Sequence, residues 1–393
     1  MTRPLDGLTI LETGQGISAA YCALLMGALG ADVIKVEPLG GDETRRLGPF
    51  PEDIPDRERS ALFLTLNRNK RSIAIDLDTA TGQELFRQLA RHAGLVVENH
   101  APGYMAARHI GYQDLAGDLP ALVWTAITPF GQDGPYRDYA ATEVTLFALG
   151  GMMNLVGDIE REPLMFGGRP SLHSAGVYGF SAAMIALEMA ETCGTGQFVD
   201  VAVFEGLAAS HFQALVDYEY RGLVRRRTEV RMPIPTLDGF ISFTVQAHQY
   251  QDFQRLILGE RAVKEGQVDD AVARDRNRTE GEMDTEILVW SVQQTKYDAY
   301  RAAQSARVPA AFIADARDLL GSPQYQARDY FVTLDHPDAG PLIYPGFPAK
   351  FDGAAWEWAA APRLSQHADE ILLGLTDLSA DEVAEVKAAG VVR

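Results

Sequence analysis

Leu8-Thr9-Ile10-Leu11-Glu12, Gly14-Gln15-Gly16-Ile17-Ser18-Ala19 and Ala31-Asp32-Val33-Ile34-Lys35-Val36-Glu37 decide the fold class of this chain. The first stretch reads as a short apolar strand and the second as a glycine-rich turn. A helix from about Ser18 to Leu29 follows, and ADVIKVE is a second strand left through Pro38-Leu39-Gly40-Gly41-Asp42. The alternation continues outward. Ser72–Asp76 predicts a third strand, Thr79–Ala93 an amphipathic helix, Gly94–Glu98 a fourth strand and Leu122–Ile127 a fifth. Strands alternating with helices require crossover connections, hence a parallel sheet with helices on both faces: an α/β, doubly wound, Rossmann-like domain.

Gly14–Ala19 also fits the dinucleotide fingerprint G-x-G-x-x-G/A, with Glu37 ending the next strand about twenty residues on. In that reading the glycines admit a pyrophosphate and the acid holds a ribose hydroxyl. The opposing reading is a strand–turn–helix that binds no dinucleotide, and the motifs further along the chain favour it.

The chain has 393 residues, 47% hydrophobic and 23% charged, with a net charge of −19. That size supports a large core and more than one folding unit. The negative charge argues against nucleic acid as a partner. No apolar run reaches about 18 residues, and the N-terminus lacks the apolar stretch of a signal peptide, so a cytoplasmic protein without a membrane span is expected. Cys22 and Cys193 are far apart and flanked by small or apolar residues, which predicts two buried thiols rather than a disulfide. Positive charge is concentrated at Arg45-Arg46, at Arg68 with Lys70-Arg71, and at Arg225-Arg226-Arg227. Each cluster alone reads as solvated surface.

After about Leu223 the composition changes. Thr236-Leu237-Asp238-Gly239 turns into a strand at Phe240–Val245, and Val263–Asp284 is a highly charged surface excursion. Ser379-Ala380-Asp381-Glu382 is a capping box ahead of a short helix ending at Gly390.

Seven further stretches occur in a fixed order. They are Leu5–Leu8; Leu29–Glu37; Gly41-Asp42; Leu66–Ile73 through Asp76-Leu77; Val97-Glu98-Asn99 with Pro102-Gly103; Phe130–Tyr136; and Gly194–Val201, and Gly167–Gly176 ahead of a helix-like run from Val177 to Ala190 adds to them. Together they make the chain resemble the family III CoA-transferases, the carnitine-CoA-transferase and bile-acid-inducible F group, over nearly its whole length. The resemblance implies an interlocked dimer, each chain threaded through its partner. It also implies a large Rossmann-like domain from residues 1–224 and 321–393, with a smaller α+β middle domain at 225–320. Acyl-CoA is then the substrate, with no cofactor and no metal. Residues at positions that touch CoA in the family are Lys70 and Arg71, placed in a loop before the Ser72 strand, and Asn99 at a strand's carboxyl end. Gln15 and Gly16 belong near the pantetheine arm. A family arginine eight residues beyond Asn99 falls on Ala107, with Arg108 adjacent.

The departure that matters most is Leu172. Family members carry an aspartate there, whose carboxylate attacks the acyl-CoA thioester and carries the acyl group as a mixed anhydride. Leucine offers no lone pair for attack. Ser171, His173 and Ser174 are substitutes displaced by one or two residues; their plainer roles are helix capping for the serines and a satisfied polar group for the histidine. A racemase reading from relatives of the family needs a histidine at Thr142 and an aspartate at Leu172, and has neither. What remains is CoA transfer between an acyl-CoA and a carboxylic acid, with this chain as the aspartate-less subunit beside an aspartate-bearing paralogue. The alternatives are an aspartate-independent acyl-CoA lyase or isomerase, and a non-catalytic CoA-binding protein. As a homodimer the chain would have to work without that carboxylate.

Overall fold

A computed structural model describes residues 3–227, 233–259, 276–352 and 356–393. The chain divides into two compact units, Met1–Thr228 with Asp329–Arg393, and Glu229–Arg328.

The first unit is built on a six-stranded parallel sheet of order β3-β2-β1-β4-β5-β6. Its strands are β1 (Thr9–Thr13), β2 (Asp32–Glu37), β3 (Lys70–Ala74), β4 (Leu95–Glu98), β5 (Val123–Thr128) and β6 (Phe198–Ala202). Successive side chains point to opposite faces. Leu11, Ile34, Val36, Ile73, Val96 and Trp124 bury one way, under α3 (Ala80–Ala90) and the helices Ala368–Leu375 and Ala380–Ala388. Ile10, Val33, Val97, Val123 and Ile127 bury the other way, under α1 (Ser18–Ala28) and α6 (Pro170–Cys193). Covering both faces is what makes these strands nearly continuous apolar runs.

Helices α1 and α6 touch through small residues. A Cβ built on Gly176 would lie 2.9 Å from the Ser18 carbonyl oxygen and 3.1 Å from Tyr21 Cβ. Only glycine lets the two backbones come this close. Cys22 is buried in α1 as expected, and burial pushes its thiol pKa up. Cys193 is exposed at the end of α6, against expectation, because only one stripe of that helix faces the sheet.

Strand β3 begins two residues earlier than the sequence predicts. Asn69 adopts a left-handed turn (φ 59°), and its side chain donates to Glu357 O at 3.0 Å and accepts from Ala359 N at 2.5 Å. That clamp draws Lys70 and Arg71 into the ladder opposite Val33 and Ile34. The chain's end closes the same edge. Asp76 N donates to Val391 O at 2.8 Å, Arg393 N donates to Ala74 O at 3.2 Å, and Val392 bridges Ile75 antiparallel. The Ser379 capping box forms as read, with Ser379 Oγ accepting from Glu382 N.

The second unit is an α+β body. Strands Ile234–Pro235, Phe240–Phe243 and Ala310–Phe312 pair antiparallel, and helices Tyr250–Leu258, Arg276–Ser291 and Lys296–Ser305 accompany them. Phe253, Ile257, Leu258, Ile287, Ala303 and Val308 form its core. Of the charged excursion at Val263–Asp284, residues 263–275 lie outside the described residues and the rest is helical.

Candidate functional site

In an open parallel sheet, ligands bind beyond the carboxyl ends of the strands, where the strand order reverses. Here the reversal lies between β1 and β4. A cavity of about 190 Å³ sits at that edge, lined by the segments leaving β1 (Thr13, Gly14, Gln15), β2 (Glu37, Pro38, Leu39), β3 (Ile75, Asp76, Leu77, Asp78) and β4 (His100, Tyr104).

The turn after β1 is fixed by Asn99. Its Oδ1 accepts from Gln15 N at 2.9 Å, while Nδ2 donates to Gln15 O at 2.6 Å and Ser18 Oγ at 3.1 Å. A Cβ on Gly14 (φ 137°) would fall 2.2 Å from that Oδ1, so the position requires glycine. Asn99 is thus a brace with both amide protons spent, and Gln15 is the exposed member of the turn. Gly16 is buried and donates weakly to Asp42 Oδ1 at 3.3 Å. Glu37, the acid of the fingerprint, accepts from Arg45 Nε and Nη2, Asp42 N and Ser72 Oγ. Its lone pairs are engaged inside the protein, which leaves nothing for a ribose hydroxyl.

One wall of the cavity is a three-layer stack. The His100 and Tyr104 rings lie 4.1 Å apart at 14°, and the Arg108 guanidinium covers Tyr104 at 3.6 Å. Arg108 also donates to Tyr104 O at 3.0 Å and pairs with Asp78. Thr13 Oγ1 lies 3.1 Å from His100 Nε2. Burial, with the Arg108 charge adding to it, lowers the His100 pKa to about 4. The ring is neutral at ordinary pH. Directly before it, Glu98 is buried between Trp124 Nε1–H and His100 N–H, and burial raises its carboxyl to about 7 despite both bonds.

Lys70 and Arg71 do not reach this cavity. They start β3, at the opposite edge of the sheet. Lys70 donates its three protons to Glu12 Oε2 (2.7 Å), Ala20 O (2.9 Å) and Asn67 Oδ1 (2.9 Å), with its side chain fully buried. Lys35 joins the same network through Glu12 and Asp42, at 2.6 and 2.9 Å. Burial works against charge on Glu12, but the two ammoniums outweigh it and hold the carboxyl below its usual range; the same burial lowers Lys70 to about 8. Arg71 is paired with Asp32 and Glu370. Each proton of Lys70 thus has an acceptor inside the protein, and both residues border a different cavity, of about 600 Å³, beside Asp32 and His367.

The start of α6 holds the second part of the site. Arg169 takes a left-handed conformation (φ 55°) and Pro170 opens the helix. Leu172 is half-buried and packs with Ile17, Ala20 and Leu66, and with Tyr21 and Leu62 around them. His173 Nδ1 lies 3.0 Å from Arg169 O, and its ring meets Tyr21 edge-on at 4.9 Å. Ser174 is half-buried. Ser171 does not cap the helix; its Oγ is buried without a partner. The capping acceptor is Glu143, at the start of α5 (Glu143–Leu149), whose Oε1 accepts from Ser171 N at 2.9 Å while its Oε2 is buried without a partner.

Sequence reasoning missed four residues here: Glu98, His100, Tyr104 and Glu143. A signal existed for the aromatic pair, since His100 and Tyr104 flank Pro102-Gly103 directly after a strand's carboxyl end. Nothing local marks Glu143. Among the described residues no group of three or more His, Cys, Asp and Glu could hold a metal ion, and no helix is long and apolar enough to cross a membrane.

The family model for CoA-transferase family III matches residues 5–368. Succinyl-CoA–D-citramalate CoA-transferase of Chloroflexus aurantiacus is 32% identical, over 99% of this chain and 98% of that protein. The succinyl-CoA:(R)-benzylsuccinate CoA-transferase subunit BbsE of Thauera aromatica is 32% identical over 90% of each chain. A crystal structure of a CAIB/BAIF family protein from Brucella suis superposes with a TM-score of 0.84 at 28% identity, covering 95% of this chain and 100% of that one. The strand order, the crevice at its reversal and these likenesses agree, and the chain belongs to CoA-transferase family III.

Proposed function

We propose that this chain is the aspartate-less subunit of a two-subunit cytoplasmic enzyme that moves CoA from an acyl-CoA to a carboxylic acid. The observation that carries the reading is Leu172, seated among Ile17, Ala20 and Leu66 where the reacting carboxylate would stand. A relative that is itself named as a subunit, BbsE, supports it. An aspartate-bearing paralogue, interlocked with this chain, supplies the nucleophile. The nucleotide end of CoA occupies the cavity at the strand reversal, against the His100–Tyr104 wall and the Gly14-Gln15 turn braced by Asn99. Arg108, held over Tyr104, and Arg393, whose guanidinium lies 3.4 Å from the Leu39 carbonyl oxygen, are the cations offered to the phosphates in this arrangement.

The test is to isolate the chain from its host with whatever chain co-purifies, and to compare turnover of the pair with that of the pure chain. Transfer by the pair and none by the chain alone is the expected result. Transfer by the pure homodimer, with no acyl-enzyme trapped by hydroxylamine, overturns the reading. Leu172→Asp in the pure chain should then create hydroxylamine-sensitive thioester cleavage.

The spare Oε2 of Glu143 favours one alternative, an aspartate-independent lyase or isomerase in which that oxygen takes the α-proton of the bound acyl group. Exchange of that proton with deuterated solvent by the pure chain would put this alternative first.

A further inference from the structure

Beyond the nucleotide cavity, on the other side of the segment that leaves β4, lies a second cavity of about 300 Å³. Three aromatic side chains line it: Trp124 from β5, Phe198 from β6, and Tyr112, which opens the short helix Tyr112–Leu115. Four polar side chains line it as well: Glu98, Gln132, Arg137 and, at the exposed rim, Gln113.

The polar groups are what give this cavity a chemical preference. The atoms Gln132 Nε2 and Arg137 Nε are buried without a hydrogen-bond partner, while the Arg137 side chain as a whole is 40% exposed and reaches the cavity from its mouth. The ionic neighbour of Arg137 is Asp138, 3.7 Å from Nε and beyond hydrogen-bonding distance. Buried donors left unpaired are costly, by roughly 1–3 kcal/mol each. Two in one cavity mark an acceptor site. Glu98 at the cavity wall does not undo this preference. Its two oxygens already accept from Trp124 Nε1–H and His100 N–H, and its carboxyl is raised to about 7 by burial, so near neutrality much of it is protonated and adds an O–H donor. The remaining lining is mostly apolar and aromatic, which suits a planar or branched hydrocarbon body.

We propose that this cavity is a binding site for a small aromatic or apolar carboxylic acid, its carboxylate held by Gln132 and Arg137 and its ring packed against Trp124, Tyr112 and Phe198. The site is separate from the nucleotide cavity. The two share only the segment from Glu98 to Met105 as a common wall, with His100 and Tyr104 facing one side and Glu98 and Met105 the other.

The experiment is calorimetry on the full chain with phenylacetate, and with 2-phenylethanol as the uncharged analogue of the same ring. Phenylacetate should bind with saturable heat, and 2-phenylethanol at least tenfold more weakly. Gln132→Ala and Arg137→Ala should each weaken phenylacetate tenfold or more, while acetyl-CoA affinity stays within twofold of the parent in both. Both residues sit in the loop after β5 and outside the core clusters, so the variants are expected to fold, which circular dichroism checks. The proposal is overturned if phenylacetate gives no saturable heat, if the two variants bind it as the parent does, or if the alcohol binds equally well. Acetyl-CoA binding that falls in parallel with phenylacetate also overturns it, because the two cavities would then be one site. Since acetyl-CoA is measured alongside, failure here leaves the nucleotide cavity standing, and failure there leaves this one.

Discussion

Lys70 shows how a charge in a recognisable motif can be engaged inside the protein. In the sequence it stands beside Arg71 in a basic cluster. In the fold its ammonium is enclosed by Glu12, Asn67 and the Ala20 carbonyl. Its principal partner is 58 residues away, so no local pattern reveals the pairing. Removing Lys70 leaves Glu12 paired with Lys35 but takes the donor from Glu12 Oε2, Ala20 O and Asn67 Oδ1 at once, and each buried acceptor left unpaired costs roughly 1–3 kcal/mol. Lys70→Ala is therefore expected to lower the urea midpoint sharply, while the protein that remains folded binds acetyl-CoA as before. A selective loss of acetyl-CoA affinity at parental stability would restore Lys70 as a ligand. Leu172 teaches the reverse lesson. The order of residues around it singles it out in the sequence, and the structure shows it at the start of α6, packed with Ile17, Ala20 and Leu66.

Elements were legible to within a residue or two wherever the apolar pattern alone sets them, as for β1, β2, β4, β5 and α1. The register of β3 was not, since the Asn69 clamp is made by residues near 357–359. The segment leaving β4 joins two groups that titrate in opposite senses. Glu98, raised from 4.5 to about 7, holds a proton in the folded chain that the unfolded chain has lost across that window, so its contribution falls as pH rises from about 4.5 to 7. His100, lowered from 6.5 to about 4, is neutral in the folded chain while the unfolded chain is charged, so its contribution rises with pH between about 4 and 6.5. The two oppose each other through most of the range. Glu98→Gln leaves the rising contribution alone and should steepen the gain in stability from pH 5 to 6.5, by about 2 kcal/mol at most. His100→Phe should give a loss over the same interval. Urea midpoints at three pH values test both, and identical slopes in parent and variants would refute the assignment.

Where α1 meets α6, Gly176→Val is expected to lower stability by about 1–3 kcal/mol, because the nearest neighbour is a backbone oxygen that cannot turn aside. Thermal unfolding measures it. An unchanged midpoint would mean that the helices separate freely.

At the scale of the whole molecule, the α/β class followed from the strand–helix alternation alone. The positions of side chains in the crevice did not, since they depend on contacts between segments hundreds of residues apart. The sealing of β3 by the chain's end is one such contact. Deleting Val391–Arg393 removes the bridge to Ile75, the carbonyl that accepts from Asp76 and two buried valines from the core. The truncated protein should unfold at lower urea and leave the Ala74 carbonyl and the Asp76 N–H at the end of β3 without partners, with aggregation on storage as the visible result. Parental stability after truncation would show that the tail is ornamental.

That tail also fixes an order of events during synthesis. The unit formed by Glu229–Arg328 is continuous in the chain, so it leaves the ribosome complete and can fold at once. The larger unit began earlier but finishes later. Arg45 waits for the carbonyl of Pro362, a partner 317 residues downstream, and Ile75 waits for Val392. Until residues 357–367 are made, β3 stands as an open sheet edge beside a half-covered apolar face. Any threading of one chain through another has to be completed around that late closure. Pausing between residues 328 and 392 would lengthen the interval in which the nascent sheet is adhesive, and a chaperone that shields edges would act there.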